Sequence, residues 1–154
     1  MKCFQIALAS LALAGAALPD GTSYCISTPN GASGNSATGA LISLGGTCSV
    51  SVNDFTLAFG PILPGERTLF ISGLAPSVPT PFGNGLTCIA NPWTAHWPVG
   101  QADIGGFFSR PFDLTAMPTA LPGMTVYFQG LYTDPNGPPL VRNASDALQV
   151  TFLP

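Results

Sequence analysis

Charge is what this 154-residue sequence has least of: Asp, Glu, Lys and Arg make up 7% of it, against roughly a quarter in ordinary globular proteins. Lys2 is the single lysine, and Arg67, Arg110 and Arg142 are the other permanent cations. A nucleic-acid interface neutralises phosphates with several clustered basic side chains, so the composition argues against that partner. Histidine is equally scarce. Any Ser-His-Asp or Cys-His mechanism has to use His96 as its base, no Gly-x-Ser-x-Gly turn supplies a nucleophile, and Ser109-Arg110-Pro111 offers no nucleophile context. A glycosidase-type carboxylate pair would have to come from Asp54, Glu66, Asp103, Asp113, Asp134 and Asp146. Three of these, Asp54, Asp134 and Asp146, sit beside turns, where Asp serves local hydrogen bonds to backbone N–H groups. The expectation is a protein that is not an enzyme and carries no cofactor.

Metal-ligand patterns are missing too. Cys3, Cys25, Cys48 and Cys88 lack the close spacing of a zinc site and have no supporting histidines. Asp134-Pro135-Asn136-Gly137 has oxygen side chains at alternate positions but neither the further ligands nor the terminal Glu of a calcium loop, and Pro-Asn-Gly is sufficient as a turn. No metal is expected.

What the sequence does have is a secretory start. Met1-Lys2 precedes an apolar run from Ile6 to Leu18 that Pro19-Asp20-Gly21 ends, and small residues offer cleavage after Ala14, Ala16 or Ala17. The run is shorter than the roughly 20 residues a membrane span needs. Residues 1–18 are therefore expected to be a cleaved signal peptide. No second run of spanning length follows, so no integral membrane segment is expected after cleavage. The remaining chain of roughly 135 residues suits one domain. Its 46% hydrophobic content with so little charge leaves self-association open.

Cysteine use agrees with an oxidising, extracellular or cell-envelope location. If Cys3 leaves with the signal, three cysteines remain, which implies one bridge and a further thiol that is buried or paired between chains. Loop-entropy differences among the three pairings are too small to choose between them, at roughly 3.4 to 4.3 kcal/mol.

Long helices are excluded by 18 Gly and 16 Pro, which punctuate the chain into short segments. Residues 19–39 read as an extended Ser/Thr/Gly/Asn-rich leader over the domain surface. The β-domain is expected over 40–154. Strands are predicted at 40–44, 48–52, 55–59, 68–71, 86–90, 124–132 and 147–152, and more weakly at 104–109 and 112–114. Val50 and Val52 alternate with serines, and Phe55, Leu57 and Phe59 alternate with Thr56 and Ala58, the period-2 mark of strands with one buried face. Seven to nine short strands joined by turns predict an all-β fold: a single antiparallel β-sandwich of immunoglobulin-like or jelly-roll type. Asn143-Ala144-Ser145 is a formal glycosylation acceptor, read here as a coincidence ahead of a turn at Asp146.

Several segments together resemble a secreted bacterial β-rich module of unassigned function. They are Tyr24-Cys25 with Thr28-Pro29-Asn30, Asn53-Asp54-Phe55-Thr56-Leu57, Pro81-Phe82-Gly83-Asn84-Gly85 leading to Cys88, Phe128-Gln129, Tyr132 with Asp134-Pro135, and the stretch from Asn143 to Phe152. The resemblance spans nearly the whole mature chain and implies export and a sandwich, with no activity attached. It also implies the bridge Cys25–Cys88, since both cysteines lie in the matching segments, with Cys48 left over and packed as a small apolar residue. Thr87 departs from the basic residue expected before the cysteine, and 91–111 matches poorly.

The poorly matching part holds the most unusual stretch, Asn91-Pro92-Trp93-Thr94-Ala95-His96-Trp97-Pro98, with both tryptophans and the only histidine between prolines. Aromatic rings on a stiff loop stack on sugars or aromatic ligands, which makes Trp93, His96 and Trp97 the candidate ligand-binding residues. The competing reading is that the tryptophans plug one end of the sandwich. Three functions follow: a secreted non-enzymatic module with a structural or binding role, a carbohydrate-binding or adhesive module with a glycan or cell-envelope partner, and a small hydrolase centred on His96. Side-by-side exposure of the tryptophans would separate the first two. The third needs a Ser or carboxylate within hydrogen-bond reach of His96.

Overall fold

Alternating apolar residues from Val126 to Tyr132 and from Leu148 to Phe152 cover one side of two long antiparallel strands, and the rest of the fold is laid against that side. The computed structural model describes residues 21–27, 39–135 and 141–154; the expected signal peptide and much of the expected leader lie outside them. The elements are β1 (Thr22–Tyr24), β2 (Leu41–Gly45), β3 (Thr56–Gly60), β4 (Arg67–Gly73), β5 (Pro76–Phe82), β6 (Gly85–Ile89), β7 (Thr94–Gln101), β8 (Phe108–Pro111), a 3-10 turn (Leu114–Ala116), β9 (Thr125–Thr133) and β10 (Arg142–Thr151). They form a five-stranded sheet in the order β1-β10-β9-β4-β7, a three-stranded sheet β2-β3-β8 and a β5-β6 hairpin. Every strand pair is antiparallel. The all-β fold with antiparallel sheets agrees with the sequence reading.

The larger sheet has two faces. Phe70, Val126, Phe128, Tyr132, Leu148 and Val150 point inward and meet Ile42, Leu57 and Phe59 of the three-stranded sheet, together with Phe55, Phe112 and Phe152, in the main core. Its rings pack largely edge to face, as ring quadrupoles favour: Phe59–Phe70 at 5.2 Å and 87°, Phe55–Phe152 at 5.5 Å and 69°. Gly130 lets them close in, because a Cβ there would stand 2.5 Å from the Phe59 ring. On the opposite face Ile71, Leu131 and Ala144 form a smaller cluster with Ile89 of the hairpin.

A buried amide fastens the hairpin to that outer face. Gln129 is fully buried; its Oε1 accepts the Cys88 N–H at 3.1 Å, and its Nε2 donates to the carbonyls of Leu86 and Ser145, both at 2.8 Å. Tyr24 adds a hydrogen bond from its hydroxyl to the Cys88 carbonyl at 3.1 Å, and burial, then Tyr127, raises its pKa. Cys25 and Cys88 are joined with their Cα atoms 6.2 Å apart. Cys48 is fully buried in the main core, and no described cysteine is a free thiol. The expectation of a left-over Cys48 thiol is thus corrected.

Several segments differ from their sequence reading. Residues 48–52 are a turn with an isolated parallel bridge Ser49–Leu153, because the Ser49 side chain and carbonyl receive the Val52 and Asn53 N–H groups at 3.3 and 3.1 Å and compete with a sheet ladder. Thr22–Tyr24 of the leader pairs with β10. Pro76–Phe82 is a strand despite three prolines, which it tolerates by pairing on one side only. Residues 104–107 form a turn organised by the Asp103 carboxylate, which accepts the Gly105 and Phe107 N–H groups at 2.9 Å. Residues 114–116 are the 3-10 turn, capped by Asp113. Asn143 to Asp146 lie inside β10 at a bulge between Ala144 and Ala147, where the Asp146 carboxylate accepts the Ile42 N–H at 2.6 Å. Asn143 is fully buried there, so in the folded domain it offers no acceptor for a glycan.

Candidate functional site

The expected tryptophan loop is a strand. Thr94–Gln101 pairs with β4 and forms one edge of the five-stranded sheet. Edges and bulges are where a sheet accepts proline, and Pro98 lies within a register shift, since Phe70 pairs with His96 but Thr68 pairs with Gly100. Three residues, Trp97, Pro98 and Val99, therefore face the single residue Leu69. Arg110 of β8 holds this bulge: its Nη1 donates to the carbonyls of His96 at 2.6 Å and Pro98 at 3.1 Å, and its Nη2 donates to that of Trp97. Its guanidinium also lies 5.8 Å from the centre of the Phe112 ring. One arginine thereby ties the two sheets together at their open edge and fixes where Trp97 stands.

Strand alternation turns His96 inward, whereas Trp97 lines both the cavity beside it and a second groove. The His96 ring lies 5.0 Å from that of Phe112 and 6.3 Å from that of Phe128. Its Nε2 lies 2.8 Å from the Ser72 hydroxyl. Burial, and then the positive charge of Arg110, lowers its pKa to about 4, so the imidazole is neutral at neutral pH. A cavity of ≈ 570 Å³ beside it is lined by Ser72, Thr94, Arg110, Phe112 and Asp113 among others. The Asp113 carboxylate is already engaged by the Asn53 amide and the Thr115 N–H, both at 3.0 Å. The Thr115 hydroxyl, which donates to it at 2.6 Å, and then the Asn53 amide lower its pKa.

Trp93 and Trp97 both line a second cavity, a groove of ≈ 360 Å³. Trp97 is 67% exposed, whereas Trp93, just ahead of β7, is half-buried against the outer cluster beside Phe82 and Ala95. Leu69, Leu131 and Val99 form the apolar part of the lining, and Arg67, Thr133 and Arg142 the polar part. The arginines share one row across the sheet: Arg142 pairs with Thr133, and Arg67 with Gln101. Thr68 pairs with Tyr132, which places Arg67 beside Thr133, and the Arg67 N–H donates to the Thr133 hydroxyl at 3.0 Å.

The structure thus gathers the two tryptophans at one groove and turns His96 into the sandwich edge, where Trp97 also lines the cavity beside it. Ser72, Arg67, Arg142 and the clamp made by Arg110 were not identified from sequence. Their places depend on the pairing of β4 with β7 and β9, which no local pattern encodes. Of the other carboxylates, Asp134 accepts the Asn143 side-chain amide at 3.2 Å, and the rest serve the backbone or a hydroxyl. Asp54 accepts the Thr47 N–H at 2.8 Å and the Thr47 hydroxyl, and these bonds, the hydroxyl first, lower its pKa. Glu66 accepts the Thr133 hydroxyl. Among the described residues no cluster of His, Cys, Asp and Glu suits a metal ion, and no helix is long and apolar enough to cross a membrane. Compared with family models, curated proteins and solved structures, the chain matches none.

Proposed function

We propose that the protein is an exported, non-enzymatic β-sandwich module that binds saccharide on the outer face of its five-stranded sheet, with Trp93 and Trp97 as the binding residues. The observation that carries this reading is Trp97, 67% exposed beside the half-buried Trp93 over one groove. A buried tryptophan serves packing, whereas an exposed ring held in place by its backbone is a platform for a pyranose face, and such stacking contributes on the order of 1 kcal/mol beyond area burial. Arg110 supplies the rigidity that limits the entropy lost on binding. Export is supported by the apolar run ending at Pro19 and by the Cys25–Cys88 bridge. It puts the module outside the cytoplasm or in the cell envelope.

A glycan array probed with the purified protein tests the binding. Wild type should retain at least one class of oligosaccharide, and Trp97→Ala should lose it while melting as wild type does. Mass spectrometry of protein recovered outside the cytoplasm should show a start between Gly15 and Asp20; an intact Met1 would overturn export.

The hydrogen bond between Ser72 and His96 favours a second reading, a hydrolase with Ser72 as nucleophile. Against it stand the burial of Ser72, only 4% exposed, and the absence among the described residues of a carboxylate bonded to the other ring nitrogen. A triad uses such a group to orient its base. Turnover of a p-nitrophenyl ester that disappears in Ser72→Ala would establish this reading in place of the first.

A further inference from the structure

Two of the chain's three arginines line the groove that also holds both of its tryptophans. In a protein with so few cations this is a concentrated positive site, and the saccharide-binding reading by itself gives it no task. The arginines are also available: both are exposed, and among the described residues neither side chain is paired with a carboxylate. Glu66, the acidic neighbour of Arg67, is held by the Thr133 hydroxyl and does not line the groove.

Resting on the saccharide-binding reading, we propose that the groove selects an anionic sugar, a uronate whose pyranose ring stacks on Trp97 and whose carboxylate is held by Arg67 and Arg142. The spacing suits such a ligand. Leu69, which faces the Trp97 bulge, lies two residues from Arg67 on the same strand face, about 7 Å along the strand. The long Arg67 side chain covers what remains of that distance once a pyranose ring is stacked on Trp97. Arg67 and Arg142 flank Thr133 from the two neighbouring strands, about 10 Å apart at the backbone, and their long side chains reach over it into the shared groove. Guanidinium groups meet a carboxylate with paired N–H donors in one plane. The apolar lining from Leu69, Leu131 and Val99 excludes water beneath the ring.

The test is calorimetric titration of the full exported protein with trigalacturonate and, separately, with its uncharged counterpart galactotriose, at low and at physiological ionic strength. The uronate should bind roughly tenfold or more tightly than the neutral trimer, and its advantage should shrink as salt rises. Arg67→Gln and Arg142→Gln should each reduce uronate affinity roughly tenfold toward the neutral value, with melting midpoints like that of wild type because both side chains are exposed. Trp97→Ala should weaken both trimers. Equal affinity for the two trimers, unchanged by either arginine substitution, would overturn the anionic selection while leaving a saccharide-binding groove. Binding of neither trimer by wild type would overturn both.

Discussion

The two faces of the five-stranded sheet are built from the same strands and do opposite things. The inner face presents Phe70, Val126, Phe128, Leu148 and Val150, all covered by the second sheet. The outer face is shared: near Gln129 the β5-β6 hairpin covers it, and toward Arg67, Thr133 and Arg142 it is left open as a groove. The difference lies in how each cover is attached. Rings hold most of the inner cover by burial, which needs no particular partner atom, with the Arg110 clamp and the Asp146–Ile42 hydrogen bond beside them. The hairpin is a narrow ribbon whose small cluster of Ile71, Ile89, Leu131 and Ala144 is supplemented by an amide, a phenol and a disulfide. Folding energy is thus concentrated on one face, and the open half of the other is available for binding.

Substitutions on the two faces should separate accordingly. Phe128→Ala removes a fully buried ring and should cost the most, roughly 3 to 5 kcal/mol in denaturant unfolding. Breaking the Cys25–Cys88 bridge by Cys25→Ser should cost up to about 4 kcal/mol from the freed unfolded chain, with hydrogen exchange rising first in the hairpin and in β1. Gln129→Leu keeps the volume but leaves the Cys88 N–H and two carbonyls without their partner, at a cost of about 3 kcal/mol. If this variant were as stable as wild type, the amide would not be the fastener of the hairpin.

Acid gives a smaller, signed effect at the edge between the faces. The unfolded chain protonates its histidine near the ordinary value of 6.5, whereas in the fold His96 stays neutral down to about 4. Between those values the unfolded state binds more protons, so this group's contribution to stability is lost as pH falls through that window. Because solvent reaches the ring through the cavity, the loss is on the order of 2 kcal/mol. Asp146, whose pKa burial raises, works the other way: the fold holds its proton more tightly, and stability rises as pH falls toward the ordinary carboxylate range. Unfolding measured between pH 7 and pH 4, approximately the histidine window, should show a shallower acid loss for His96→Gln than for wild type.

How much of this was legible in the sequence differs between the same two faces. Alternation in 55–59, 124–132 and 147–152 marked the inner-face strands, because a half-covered strand writes its burial with period 2. Beneath the hairpin alternation carries no such mark: Gln129 reads as a solvent-facing polar residue, yet it is fully buried. Prolines concealed β5 and β7, since both lie at edges where a missing N–H costs nothing. The tryptophans were visible as the unusual residues of the chain. Their arginine neighbours were not, since Arg67 and Arg142 are 75 positions apart and meet only through the pairing of β10 with β9 and of β9 with β4.

The smallest expected change in stability carries the most weight. Trp97→Ala should shift the thermal midpoint by no more than about 2 °C, the effect of less than 1 kcal/mol in a domain of this size, because the ring is 67% exposed. The measurement that tests the division of labour most directly is that melt run beside Phe128→Ala, with binding of both variants scored on the same glycan array. A near-native midpoint and lost binding are expected for Trp97→Ala, against a fall of roughly 10 °C for Phe128→Ala. A Trp97→Ala midpoint that falls as far as that of Phe128→Ala would contradict that division, and would make the tryptophan part of the core instead of the site.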